Sequence, residues 1–288
     1  IVCAKETREE ILVWTDVSLH SVRFIGPPFT FGLRQVSGLI TIISPNASIA
    51  VEDFAVWMGR DDFFVYKGGV NTLPCTVKQY VFSDLNQAQT QKIFCGVNSA
   101  FSEIWWFYPS SSSLENDRYV VWNYTNNLWY YGNLFRTAWL DRGIKDFPIG
   151  ASSDGYLYNH EFGLDDGSTD PASPISSFIE SSQVDIGQGD NFAFVNRIIP
   201  DISFSTSTVS DPSANVILKS RNFPGGGFQQ TDTTGVTQTA TTPVELYTEK
   251  ADIRLRGRSM TLRVESNATG VQWKLGTPRM NIRPDGRR

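Results

Sequence analysis

SEIWWFYPSSSSLENDRYVVWNYTNNLWYYG, from Ser102 to Gly132, decides the fold. Two apolar, aromatic-rich runs, EIWWFY and RYVVWN, flank a serine tract. A third run, LWYYG, follows the polar turn YTNN. Runs of about six β-branched and aromatic residues between turn clusters read as strands. The turn chemistry reads as antiparallel hairpins. Ser110–Ser113 is expected at an exposed loop tip. Successive side chains of a strand point to opposite faces, so neighbouring aromatics must face opposite ways. If both faces are apolar, both must be covered.

The same texture recurs on either side. EEILVWTDVSLHSVRF covers Glu9–Phe24, IAVEDFAVWMGRDDFFVYKGG covers Ile49–Gly69, and IGASSDGYLYNHEFG covers Ile149–Gly163. Each joins strands through a short polar turn. Recurring hairpins of this kind fit the blades of a β-propeller, although their spacing is irregular. Pro74–Gln91 is the best helix candidate, with Ser83 or Asp84 as a cap. SSDG in Ser152–Tyr158 is similar to the turn of a sialidase Asp box and places Gly155 at positive φ.

A boundary is expected at LDDGSTDPASP, Leu164–Pro174. Beyond it, Ser177–Val184, Phe192–Pro200, Asn215–Ser220, Val244–Tyr247, Asp252–Leu255, Ser259–Val264 and Gly270–Leu275 read as strands. They suit an antiparallel, sandwich-like part. The turns between them include PGGG (Pro224–Gly227), a Thr-rich loop (Gln229–Thr242) and SNATG. The expected class is therefore all-β: propeller-like blades over 1–163, a linker over 164–176, and an antiparallel β part over 177–288 that packs back on the blades.

The 288 residues are 40% hydrophobic and 13% aromatic, enough for a sizeable core. No run of about 18 apolar residues marks a membrane-spanning helix. Cys3, Cys75 and Cys95 are odd in number and widely spaced, so they read as small buried hydrophobes, with a Cys75–Cys95 bridge left open. Two histidines, His20 and His160, offer no zinc-ligand pattern. Asp165, Asp166 and Asp170 lack the spacing of a calcium loop and read as a solvated turn. Neither histidine sits in a triad context, and no Gly-rich phosphate loop opens a helix. No catalytic, cofactor or metal residues are assigned.

The net charge of −5 is uneven. Lys250–Arg288 carries a surplus of seven positive charges, leaving the remainder near −12. Arg254, Arg256 and Arg258 have the i, i+2, i+4 spacing that places them on one face of a strand. With Arg263 they could meet nucleic-acid phosphate or the carboxylates of a neighbour by bidentate pairing, and a subunit or adaptor interface is the preferred use. The aromatic groups, Trp105, Trp106, Tyr108, Trp129 and Tyr131 foremost, are candidates for packing between sheets or between copies. Stacking of sugars is the competing use of the same side chains.

Several strings resemble structural proteins of tailed bacteriophages: IFCGVNSAFSEIWWFYPS with NDRYVVWNYTNNLWYYG, FAFVNRIIPDISF with VILKSRNFPGGGF, and RLRGRSMTLRVESNATGVQWKLGTPRMNIRPDGRR at Arg254–Arg288. The resemblance covers roughly residues 75–288. It is to the C-terminal part of the tail nozzle, or tail-tubular, proteins of short-tailed phages. It implies a propeller-containing subunit in a homo-oligomeric ring, commonly sixfold, below the phage portal and adaptor in the virion. Genomic DNA would pass through the ring without specific binding. The chain begins at Ile1 rather than Met and is expected to be the later part of a longer protein. Competing expectations are a receptor- or glycan-binding tail adhesin, another tail component such as an adaptor, and a virion glycan hydrolase.

Overall fold

In a computed structural model the described residues are all except 52, 186–188, 224–237 and 288. The chain is nearly all β and divides into two compact units, Ile1–Phe162 and Gly163–Arg288. The segment expected as a linker belongs to the second unit. There Asp166 and Ser173 form a bridge and Asp165 accepts the Gly270 N–H at 2.7 Å.

The first unit is a series of antiparallel meanders. Blade 1 holds β1 (Cys3–Glu6), β2 (Ile11–Trp14), β3 (Leu19–Gly26) and β4 (Thr30–Ser37). Blade 2 holds β5 (Ser48–Val51), β6 (Phe54–Met58), β7 (Phe63–Tyr66) and β8 (Val70–Leu73). Blade 3 holds β9 (Phe94–Asn98), β10 (Glu103–Tyr108), β11 (Arg118–Asn123) and β12 (Leu128–Asn133). Blade 4 has three short strands, β13 (Ala138–Leu140), β14 (Ile149–Ala151) and β15 (Leu157–Asn159). The first strands lie side by side in the order β1, β5, β9, β13, as in a propeller.

The sequences of blades 2 and 3 follow from burial on both faces. In β6, Ala55 and Trp57 face blade 1, while Phe54, Val56 and Met58 face blade 3. A strand covered on both sides cannot alternate apolar with polar, and it reads as one apolar run. The same applies to β10. Trp106 packs on Phe63 of blade 2, and Trp105 stacks on Trp139 of blade 4.

The expected helix is shorter and broken in two. The helix α1 spans Lys78–Asp84 and a 3-10 segment spans Gln87–Lys92. The capping residue is Asn86, which accepts the Ala88 N–H at 3.0 Å, not Ser83 or Asp84. Asp84 instead takes an ion pair with Arg118. Cys3, Cys75 and Cys95 are free thiols, so no Cys75–Cys95 bridge forms. Burial pushes Cys75 up to about 11 and Cys95 up to about 12.

The second unit is sandwich-like. One sheet contains β16 (Ser177–Glu180), β17 (Val184–Asp185), β20 (Ser213–Arg221), β21 (Thr239–Glu245) and β23 (Ser259–Ser266). A second contains β18 (Ala193–Ile199), β22 (Ala251–Gly257) and β25 (Arg279–Pro284). The short strands β19 (Ile202–Ser203) and β24 (Lys274–Leu275) pair with each other. Val216, Leu218, Met260 and Val264 of one sheet share a core with Val195, Ile198, Ile253 and Leu255 of the other.

One expectation is corrected in this unit: Thr239–Thr242 is strand, not loop. Arg279–Pro284 forms a further strand, beyond those expected from the sequence. The PGGG turn and the rest of the Thr-rich stretch through 237 lie outside the described residues. Among the described residues no helix is long and apolar enough to cross a membrane.

Candidate assembly interface

The aromatic candidates are mostly occupied between blades. Trp105, Trp106 and Tyr108 are at most 9% exposed. Trp129 is half-buried against Phe63 (ring centroids 4.8 Å) and Trp106 (6.0 Å). Their indole N–H groups find acceptors on neighbouring elements. Trp106 donates to Ala47 O at 3.0 Å, Trp129 to Pro74 O at 2.8 Å, and Trp139 to Val97 O at 2.8 Å. The Trp106 bond, which is fully buried, avoids the roughly 1–3 kcal/mol left by an unsatisfied buried donor. Trp14 Nε1 is buried without an acceptor among the described residues. Tyr131 is 43% exposed and stacks on Tyr80 at 4.0 Å, so each ring covers a face of the other.

Blade 4 meets blade 3 through a large-on-small fit. Trp139 lies over Gly96, where any Cβ would overlap the indole. Trp139, Gly150 and Tyr158 form the cross-strand row on this inward face. The buried Arg136 guanidinium lies 4.5 Å from the Tyr158 ring centre and donates from Nε to His160 Nε2 at 2.8 Å. Burial, with the Arg136 charge second, depresses His160 to about 4, so the imidazole is neutral at neutral pH.

The opposite face of blade 4 is uncovered. Its rows are Ala138–Ala151–Leu157 and Leu140–Ile149–Asn159. Leu140 and Leu157 are 67% and 74% exposed. Blade 1, at the other end of the series, repeats the situation. Its inward rows bury Leu12, Trp14, Leu19 and Ser21. Its outward rows are Ala4–Val13–His20–Gln35, Glu6–Ile11–Val22–Leu33 and Phe24–Phe31. Phe24, Phe31 and Leu33 are more than 60% exposed. Sequence reading missed both faces. Their members are scattered over seven strands, and only the register brings them together.

The arginine row is divided by the structure. Arg254 and Arg256 share the exposed face of β22, but Arg258 lies beyond that strand's end at Gly257 and points its guanidinium at backbone carbonyls. Arg256 pairs with Asp285 at 2.5 Å and lies 3.9 Å from the Phe192 ring centre. Arg258 stands 4.6 Å from the same ring and donates to Asp190 O at 2.6 Å and Arg287 O at 2.9 Å. Arg263 belongs to the other sheet. It bonds Glu180 and Glu265 and covers the Phe178 ring. These three guanidinium groups hold the second unit together internally. Arg254 is exposed, with no hydrogen bond or ion pair among the described residues.

The calcium-type aspartates serve as turn acceptors: Asp166 accepts the Ser168 N–H at 2.9 Å, and Asp165 bonds Gly270 as above. Gly155 has φ +88°, with Asp154 accepting the Tyr156 N–H and the Tyr158 hydroxyl.

No family model matches the chain, and no curated protein matches it. Among solved structures it is similar to an exo-β-1,3-galactanase from Phanerochaete chrysosporium determined with galactose. The identity is 10%, the TM-score 0.30, and the match covers 94% of this chain and 78% of that one. A likeness at that level carries no argument about activity.

Proposed function

We propose that the chain is a structural subunit of a bacteriophage tail, packed side by side with copies of itself into a ring of the nozzle or tail-tube kind. The observation that carries this reading is the pair of apolar sheet faces left uncovered at the two ends of the blade series. Contiguous exposed apolar surface of this size marks a contact surface in a soluble protein. The resemblance of residues 75–288 to tail nozzle proteins supplies the setting, a virion.

The work is mechanical. The ring encloses a conduit for DNA and contacts the adaptor and other tail proteins, and no residue is assigned a chemical step. A conduit must not hold its cargo, because each neutralised phosphate adds salt-sensitive affinity. The acidic balance outside the last strands suits a wall that repels phosphate. Arg254, exposed on β22, is the arginine best placed for an acidic partner such as the adaptor.

Gold-labelled antibody against this chain, applied to intact particles, tests the setting. Label at the tail is expected. Particles that assemble and infect normally without the chain would overturn the reading.

A further inference from the structure

The end faces are of two different kinds. Within the chain, blades pack face to face: ring against ring between blades 1 and 2 (Trp14 on Trp57) and between blades 2 and 3 (Phe63 on Trp106), and a bulky side chain set against a small one, Trp139 over Gly96, between blades 3 and 4. The outward face of blade 1 is bulky towards its outer edge, with Phe24, Phe31 and Leu33 at 70%, 62% and 71% exposure. The outward face of blade 4 is shallow, with Ala138 and Ala151 adjacent across β13 and β14 and with Leu140 and Leu157 at the corners. One face presents bulk where the other presents room.

We propose that the outward face of blade 1 in one copy docks on the outward face of blade 4 in the next. The contact would continue, between chains, the packing that joins blades within one. This deepens the ring reading and rests on it. Because the two faces differ, the contact is heterologous, with each copy using one face on each side. Contacts of that kind generate closed rings when the rotation closes. Area supports a second copy as the occupant. The Phe24, Phe31 and Leu33 side chains of this face, with Phe29 at the hairpin tip, expose roughly 500 Å² of apolar surface, taking large side chains at about 150–250 Å² each, and somewhat over half of a typical interface is apolar. A stable interface buries about 800 Å² per partner.

The test is complementation between two variants of the whole chain, Leu33→Lys on blade 1 and Leu157→Lys on blade 4, followed by light scattering after size exclusion. A lysine buried in an apolar contact without a partner weakens it strongly. Wild type should assemble, and each variant alone should be monomeric, with affinity reduced about tenfold or more. Mixing the two should restore one good interface, from blade 4 of Leu33→Lys to blade 1 of Leu157→Lys. The mixture should therefore stop at a dimer, which also demonstrates that both variants are folded. Variants that assemble like wild type, or a mixture that stays monomeric, would overturn this assignment of faces while leaving a ring built otherwise. Wild type that stays monomeric up to its solubility limit would overturn the ring reading as well.

Discussion

Tyr66 of blade 2 donates its hydroxyl to the carboxylate of Glu10 in blade 1, tying two meanders together through a buried charge. Glu10 has only 4% of its side chain exposed. It also accepts from Ser21 and, bidentately, from Arg23 Nε at 2.7 Å and Nη2 at 3.0 Å. The hydrogen bonds from Arg23 lead the effects that hold the Glu10 carboxyl down at about 2. With every donor aimed at one ionised group, the network fixes how the first two blades meet.

The folded state therefore prefers Glu10 ionised. Its contribution is fully present above the unfolded carboxyl range near 4.5 and is lost as pH falls towards about 2. Glu10→Gln should lower stability at neutral pH by about 3 kcal/mol. It should also flatten the acid limb of a melting-temperature profile between those values. An acid limb unchanged by the substitution would show that Glu10 is not held as described.

His160 gives a separate pH signature. Its depressed value of about 4 means that the unfolded chain takes up the proton first as pH falls below the ordinary histidine range near 6.5. Stability should drop between those two values by on the order of 3 kcal/mol. His160→Gln should remove that dependence. A folded-state titration near 6.5 of the histidine resonance that disappears in His160→Gln would contradict the burial described.

Gly96→Ala should loosen blade 4 from blade 3, because the new methyl occupies the place of the Trp139 indole. Overpacking of this kind costs about 1–3 kcal/mol. Urea titration followed by tryptophan fluorescence should show an earlier transition. Gly155→Ala probes a different cause, since its φ of +88° is strained for any side chain although its surroundings are open.

Arg256→Ala should destabilise the second unit by about 1 kcal/mol through loss of the Asp285 pair and the contact with Phe192. Arg254→Ala should leave its melting unchanged. Equal effects would mean that the two arginines do not differ as their surroundings indicate.

Legibility from sequence followed burial. EIWWFY and FAVWM read as strands because burial on both faces leaves no room for polar residues. Their alternation also showed that Trp105 and Trp106 must serve opposite sides. Thr239–Thr242 read as loop because threonines on a sheet's edge strand resemble a polar linker. The strand Arg279–Pro284 hid behind its two arginines and its closing proline. Arg258 was placed on a strand that Gly257 ends. The uncovered faces were beyond reach, since Leu33 and Leu157 acquire meaning only when register sets them beside Val22 and Ala151.

Whether copies of this chain close into a ring is read from class averages of the purified protein in negative stain. Rings of one symmetry with a central opening are expected. A field of single, unassociated particles at every concentration would contradict ring closure.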